Sequence, residues 1–291
     1  MTDAALTEDD FTGQLAATRI AIVGLGLMGG SLALALRGRC KELVGIDPDP
    51  ATLDMALRDG VVERAAADPA ELLPEADLVI LAAPVKAILK LLGDLPRLHP
   101  GHPVVLDLGS TKTDIVRAMQ ALPARFDPLG GHPMCGKEKS SLSQAEARIY
   151  AGSTFALVKL GRSTCTACGL AEAVARCAGS IPLWIGAEEH DRQVAATSHL
   201  PYLAANALAA VTPPEVAALV GPGFRSTTRV GGTPPAMMLD VLETNRDNVL
   251  EALGRFREQI DRLEAQLKTE NFAALEQSLN CGVASYRRLV Q

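Results

Sequence analysis

The chain has 291 residues, 48% of them hydrophobic and 21% charged, with a formal net charge of −6. That length allows a buried core and two ordinary domains, and the negative balance argues against nucleic acid or an anionic membrane as the main partner. An anionic small-molecule substrate would have to be held by a local cluster of cations.

Residues 1–18 are acidic, rich in Ala and Thr, and lack the basic start and apolar run of a secretory signal. They are expected to form a flexible tail. No stretch approaches the roughly 20 apolar residues of a membrane span, and six cysteines lie scattered through a core-forming chain. A cytoplasmic protein with no membrane partner is the expectation.

From Arg19 the pattern becomes strand, glycine turn, helix, strand. Ile20–Val23 is a short apolar run, as a strand buried on both faces should be. Gly24-Leu25-Gly26-Leu27-Met28-Gly29 follows, and then a helix from Ser31 to Arg37. This matches the dinucleotide fingerprint: one glycine for the tight turn, one for approach of the pyrophosphate, one for close packing, with the anion on the helix N-terminus. Leu43–Ile46 is a second strand ending at Asp47. A carboxylate there can accept hydrogen bonds from ribose hydroxyls and would repel a 2′-phosphate, which favours NAD over NADP. Asp47 as a turn-former before Pro48 is the alternative.

A third strand, Leu78–Ala82, ends at Ala83-Pro84, and a fourth, Val104–Leu106, ends at Asp107-Leu108-Gly109-Ser110-Thr111-Lys112. A helix is expected over Thr113–Leu122. Ser110 suits either a hydrogen bond to a substrate hydroxyl or an N-cap, and Lys112 either an anion contact or an exposed first-turn position. Gly130-Gly131-His132-Pro133-Met134 then puts one histidine behind two flexible glycines, just after a strand. An imidazole, with an unperturbed pKa of about 6.5, can take a proton from an alcohol near neutral pH. Alternating strands and helices imply a parallel sheet whose ligands bind beyond the strand C-termini. The Gly24 loop, Ala83-Pro84, Ser110 and His132 would therefore converge on one crevice.

Thr154–Leu160 and Ile181–Ile185 read as further strands around a helix near Cys165–Ala178. Cys165-Thr166-Ala167-Cys168 has metal or redox spacing, but no second pair completes a four-ligand site, and no metal is expected. Cys135 reads as a small filler in a tight loop. After about Gly186 strand patterns vanish. Pro234-Pro235 suits a helix start, and Ile260, Leu263, Leu267, then Leu275, Leu279 and Val283 have amphipathic helical spacing. The expected fold is an α/β Rossmann-type dinucleotide-binding domain over 19–186, followed by an all-α helical dimerisation domain over 187–291.

Gly24–Ser31, Gly109-Ser110-Thr111-Lys112, Gly130–Lys139, Ser198-His199-Leu200-Pro201 and Thr228-Arg229 fall in an order that resembles the prephenate and arogenate dehydrogenases of tyrosine biosynthesis. The resemblance spans about 19 to 255. It implies NAD-dependent oxidative decarboxylation of prephenate, or of arogenate, by a homodimer. It further implies that His132 accepts the ring hydroxyl's hydrogen bond or proton and that Ser110 orients both partners. Arg229 would bind a substrate carboxylate, with Arg225 next in line, and Glu138 would help control entry. His199 would line the pocket beside Tyr202, which stands where many relatives carry a second histidine.

Two rivals remain. A β-hydroxyacid dehydrogenase would use a helical-domain lysine, yet Lys268 is the only lysine between 187 and 291. A non-catalytic NAD-sensing module would need the Gly24 loop without Ser110, His132 and Arg229.

Overall fold

The computed structural model describes residues 8–137 and 141–290. Its strands are β1 (Arg19–Val23), β2 (Glu42–Ile46), β3 (Arg64–Ala66), β4 (Leu78–Leu81), β5 (Val104–Asp107), β6 (Asp127–Pro133), β7 (Thr154–Lys159) and β8 (Ile181–Trp184). They form one sheet in the order β3-β2-β1-β4-β5-β6-β7-β8. β1 to β6 are parallel; β7 pairs antiparallel with β6, and β8 runs parallel to β7. The expected parallel sheet therefore carries two reversed strands at one edge.

The apolar runs are covered on both faces, as their composition requires. Ile20, Ile22, Leu78, Ile80 and Leu106 join one core cluster, while their neighbours Ala21, Val23, Val79, Leu81 and Val105 join the other. The first face is covered by α1 (Glu8–Ala17), α2 (Leu27–Leu36), α3 (Pro50–Arg58) and, beyond them in sequence, the helix Cys165–Cys177. The second is covered by α4 (Pro69–Leu72), α5 (Val85–Leu98) and α6 (Thr113–Gln120). The helix Cys165–Cys177 is α7.

Part of the expected flexible tail is ordered: α1 packs on α7, buries Leu15 to 2% exposure, and closes with Thr18 Oγ1 donating to the Gln14 carbonyl at 2.7 Å. Residues 1–7 lie outside the described residues. A second correction concerns Gly130 and Gly131, which are buried inside β6 and not flexible. A Cβ on Gly131 would lie 2.6 Å from the Asp107 carbonyl oxygen, and one on Gly130 3.0 Å from Val158. His132 consequently sits on a paired strand, opposite Ala156 of β7.

Beyond β8 the described chain is helical: α8 (Ala187–Val194), a π-helical turn (Ala195–His199), α9 (Leu200–Val211), α10 (Pro222–Thr228), α11 (Pro235–Thr244), α12 (Arg246–Lys268) and α13 (Phe272–Val290). Pro235 opens α11 at its first turn, as the sequence suggested. Small cores tie these helices together, one around Ala195, Val249 and Ala252, another around Tyr202, Met238 and Val241. The fold is thus a Rossmann-type α/β unit followed by helices. No described helix is long and apolar enough to cross a membrane.

Candidate active site

The strand order reverses about β1: β2 and β3 lie on one side, β4 and β5 on the other. The crevice beyond β1 and β4 is where such sheets bind ligands. Gly24 leaves β1 at φ +97°, and a Cβ there would sit 2.4 Å from the Ala82 carbonyl oxygen. A Cβ on Gly29 would sit 1.9 Å from the Gly24 carbonyl oxygen. Gly26 is the N-cap of α2 and supplies no side-chain hydrogen bond, so the first N–H groups of that helix are available to an anion. Leu25 and Leu27 are buried, which leaves only their backbone to face a ligand. The Met28 carbonyl accepts a 2.8 Å hydrogen bond from Tyr150.

Asp47 Oδ2 accepts from Leu25 N at 2.8 Å and Oδ1 from Asp49 N at 3.0 Å. The carboxylate therefore forms the turn and fastens the glycine loop at once. Its further lone pairs can still receive ribose hydroxyls. Ala83 and Pro84 follow β4, with Pro84 as the exposed N-cap of α5. A dinucleotide fits this cradle of close-packed glycines, uncapped helix start and strand-end carboxylate.

Farther along the same edge, His132 Nδ1 lies 2.8 Å from His190 Nε2, and the two rings meet edge to face at 70°. His190 Nδ1 lies 2.8 Å from Asp191 Oδ1. Asp191 in turn accepts from Lys112 N at 2.7 Å and Thr113 N at 2.8 Å. It thereby caps α6 from a helix nearly 80 residues away in sequence. Burial raises the Asp191 carboxyl, but the donors from His190, Thr113 and Lys112 outweigh it and hold it below the usual value. Burial first, and then the repulsion that the ionised forms of His190, Lys112 and His199 would exert on a further positive charge, drives His132 well below 6.5. Its imidazole is neutral near pH 7 and able to accept a proton.

Ser110 follows β5, whose Leu106 pairs with Leu129 of β6, so Ser110 and His132 both lie beyond the paired ends of neighbouring parallel strands. The N-cap position of α6 is Lys112 and its cap is Asp191, so Ser110 does not serve as the cap. Lys112 corrects the sequence reading. Its side chain has 0% exposure; its ammonium binds the Asp107 carboxylate and donates to the Gly131 carbonyl at 2.7 Å. It cannot reach a substrate from there. Burial pushes Asp107 up and Lys112 down, and each charge opposes the other's neutralisation.

His199, at 1% exposure, lies with Nδ1 3.2 Å from Asn245 Nδ2, and burial lowers its pKa to about 4. Tyr202 is buried against Met238 and Val241. Arg229 and Arg225 are exposed at the end of α10. Glu138 lies outside the described residues. The structure thus brings Ser110, His132 and the glycine loop to one edge and adds His190 and Asp191, which the sequence offered as either structural groups or the lining of a helical-side pocket, and Asn245, to which it gave no role. Adjacent His and Asp in a helix were the only available signal, and Asn245 offered none.

Comparison with known proteins gives a consistent result. A family profile described as "Prephenate dehydrogenase, nucleotide-binding domain" matches residues 32–176, and one described as "Prephenate dehydrogenase, dimerization domain" matches 186–281. The chain is 31% identical to the prephenate dehydrogenase of Bacillus subtilis over 262 residues, covering 87% of this chain and 71% of that one. Among solved structures, prephenate dehydrogenase from Aquifex aeolicus in complex with hydroxyphenyl propionate and NAD+ superposes with a TM-score of 0.86 at 28% identity, covering 95% of this chain and 99% of that one. Synechocystis arogenate dehydrogenase superposes with a TM-score of 0.80 at 27% identity, covering 94% and 100%.

Proposed function

This chain belongs to the prephenate dehydrogenase family, and from that premise we propose that it catalyses the NAD-dependent oxidative decarboxylation of prephenate to 4-hydroxyphenylpyruvate. The observation that carries this reading is a partly buried His132, held through Nδ1 by His190, on the same sheet edge as the dinucleotide cradle. When bound, NAD supplies the nicotinamide that takes a hydride from the ring carbon bearing the hydroxyl. His132 accepts the hydroxyl proton as the C–O bond becomes a carbonyl. Loss of the ring carboxylate as carbon dioxide sends its electron pair into the ring, which becomes aromatic. The proton on His132 then returns to the oxygen to give the phenol, so the proton count closes on the enzyme.

In this reading Ser110 hydrogen-bonds the reacting hydroxyl, and Arg229 offers a guanidinium suited to bidentate carboxylate binding. Glu138 controls entry, while His199 and Tyr202 lie on the helical side of the pocket. Asp47 sets the preference for NAD, and Asp47→Ser should shift kcat/KM toward NADP; an unchanged ratio would leave Asp47 as a turn-former only. We place the dinucleotide-binding domain at 19–186 and the helical domain at 187–291. The exposed apolar faces of α12 and α13 support a homodimer, and the enzyme is assigned to the cytoplasm.

Arogenate is the second substrate reading, favoured by the likeness to the Synechocystis enzyme. The deciding experiment measures kcat/KM for prephenate and arogenate, each with NAD and NADP. Prephenate with NAD should be the best pair. Turnover of arogenate alone would move the assignment, and no cofactor reduction with either would overturn it.

A further inference from the structure

We propose that His190, oriented by Asp191, is a positioning residue that fixes His132 in the tautomer whose Nε2 accepts the substrate proton. The inference rests on the functional reading above and concerns a residue to which that reading gives no part in the chemistry. Two imidazole nitrogens 2.8 Å apart need one hydrogen between them: two N–H groups would repel, and two lone pairs would too. The polarity of the His132–His190 contact is therefore set by whichever nitrogen of His190 carries its hydrogen.

Asp191 makes that choice. Its carboxylate already receives the amides of Lys112 and Thr113, and Oδ1 lies 2.8 Å from His190 Nδ1. A carboxylate is acceptor only, so a neutral His190 carries its hydrogen on Nδ1 and presents the lone pair of Nε2. His132 must then donate through Nδ1–H, which leaves Nε2 as the accepting nitrogen. His190 and Asp191 are 2% and 1% exposed, so water does not compete for these bonds. The backbone amides of α6 hold the carboxylate, so the setting reaches His132 through a rigid chain.

As the hydroxyl proton passes to His132 Nε2, the O–H bond breaks and the N–H bond forms. The imidazolium then keeps its Nδ1–H on His190 Nε2, with the Asp191 carboxylate next in line. No other proton donor or acceptor is required. Thr113, Lys112 and His199 surround this chain, but the Lys112 ammonium is occupied by Asp107 and Gly131.

The test reads the tautomer directly, in protein free of NAD and substrate. With five histidines in the chain, 15N spectra of imidazole-labelled protein can be assigned by single substitutions. Wild type should show His132 protonated on Nδ1 and bare on Nε2. His190→Leu should release His132 into a mixture containing the Nε2–H form and lower kcat roughly 10²–10⁴-fold, with NAD affinity unchanged. His190→Gln, whose amide can accept from His132 and donate to Asp191, should retain the tautomer and restore most of kcat.

Finding His132 protonated on Nε2 in wild type, or His190 doubly protonated, would overturn the proposal even if His190→Leu fails to fold. So would a His190→Leu protein with the wild-type tautomer or the wild-type kcat, or a His190→Gln protein as slow as His190→Leu. Because these spectra need no turnover, a wrong substrate assignment and a wrong role for His190 fail in different experiments.

Discussion

Lys112 and Asp107 form an ion pair with no solvent exposure, five residues apart, where a strand passes into a helix. Asp107 also receives Gly109 N at 2.7 Å and Gly131 N at 3.1 Å, so the pair clamps β5 to β6 directly beneath His132. Removing one partner leaves the other charge buried without compensation. Lys112→Met should therefore lower stability by about 3–5 kcal/mol, read as a fall in the urea midpoint; a change under 1 kcal/mol would mean that Asp107 is not ionised. His132→Asn should reduce kcat by roughly 10²–10⁴-fold while leaving NAD affinity nearly intact. Unchanged kcat would remove His132 from the chemistry. The place of His132 at a strand end was legible in the sequence, because the run that carries it follows an apolar strand pattern. The burial of Lys112 was not legible, since a lysine beside a helix start is ordinarily exposed and its partner Asp107 read simply as a strand end.

The π-helical turn between α8 and α9 has a geometric consequence for the site. His199 follows His190 by nine residues, which in an unbroken α-helix, at about 100° per residue, would put them on opposite faces. One wider turn absorbs a residue and reduces the separation to about 80°. His190 can then face His132 while His199 reaches Asn245. No residue pattern announces a π turn, so this alignment was invisible beforehand. The amphipathic spacing of α12 and α13 was visible, but not which face would be left open. Ile260, Leu267, Leu279 and Val283 are 47%, 55%, 55% and 48% exposed on helices with scant core of their own. Replacing Leu279 and Val283 together with Glu should convert a dimer into monomers by light scattering at micromolar concentration. A dimer that survives this change, or a wild-type monomer, would place the contact elsewhere or nowhere.

Across the whole molecule, the helices meet the sheet through a polar seam. Asp191 caps α6, Asn245 Nδ2 donates to the Asp191 carbonyl at 2.7 Å, and Thr111 and Thr244 share a 2.8 Å hydrogen bond. Lys86, at the start of α5, pairs with Asp240 and Glu243 of α11. His132 and His199 sit in this seam with pKa values depressed by burial, His199 to about 4. Between about 6.5 and that value the unfolded chain binds protons that the folded chain does not. The stability is therefore full above pH 6.5 and is lost as pH falls toward 4, with His199 alone accounting for on the order of 3 kcal/mol. Urea midpoints at pH 7.5, 6 and 5 should fall in that order; a flat series would show that these imidazoles are not held neutral by burial.

The α/β unit, the dinucleotide loop, the strand-end carboxylate and the central histidine were determined by sequence alone, because each follows from local pattern: apolar runs, glycines at fixed spacing, a carboxylate or imidazole at a strand end. The order in α1 and the rigidity of Gly130 and Gly131 were decided by tertiary contact, with α7, Asp107 and Val158. So was the hydrogen-bond polarity of His132. That depends on Asp191, which is 59 residues further along the chain and is held by the N-terminus of a helix from the other half of the fold. A tautomer is set by its neighbours in space, and only folding supplies them.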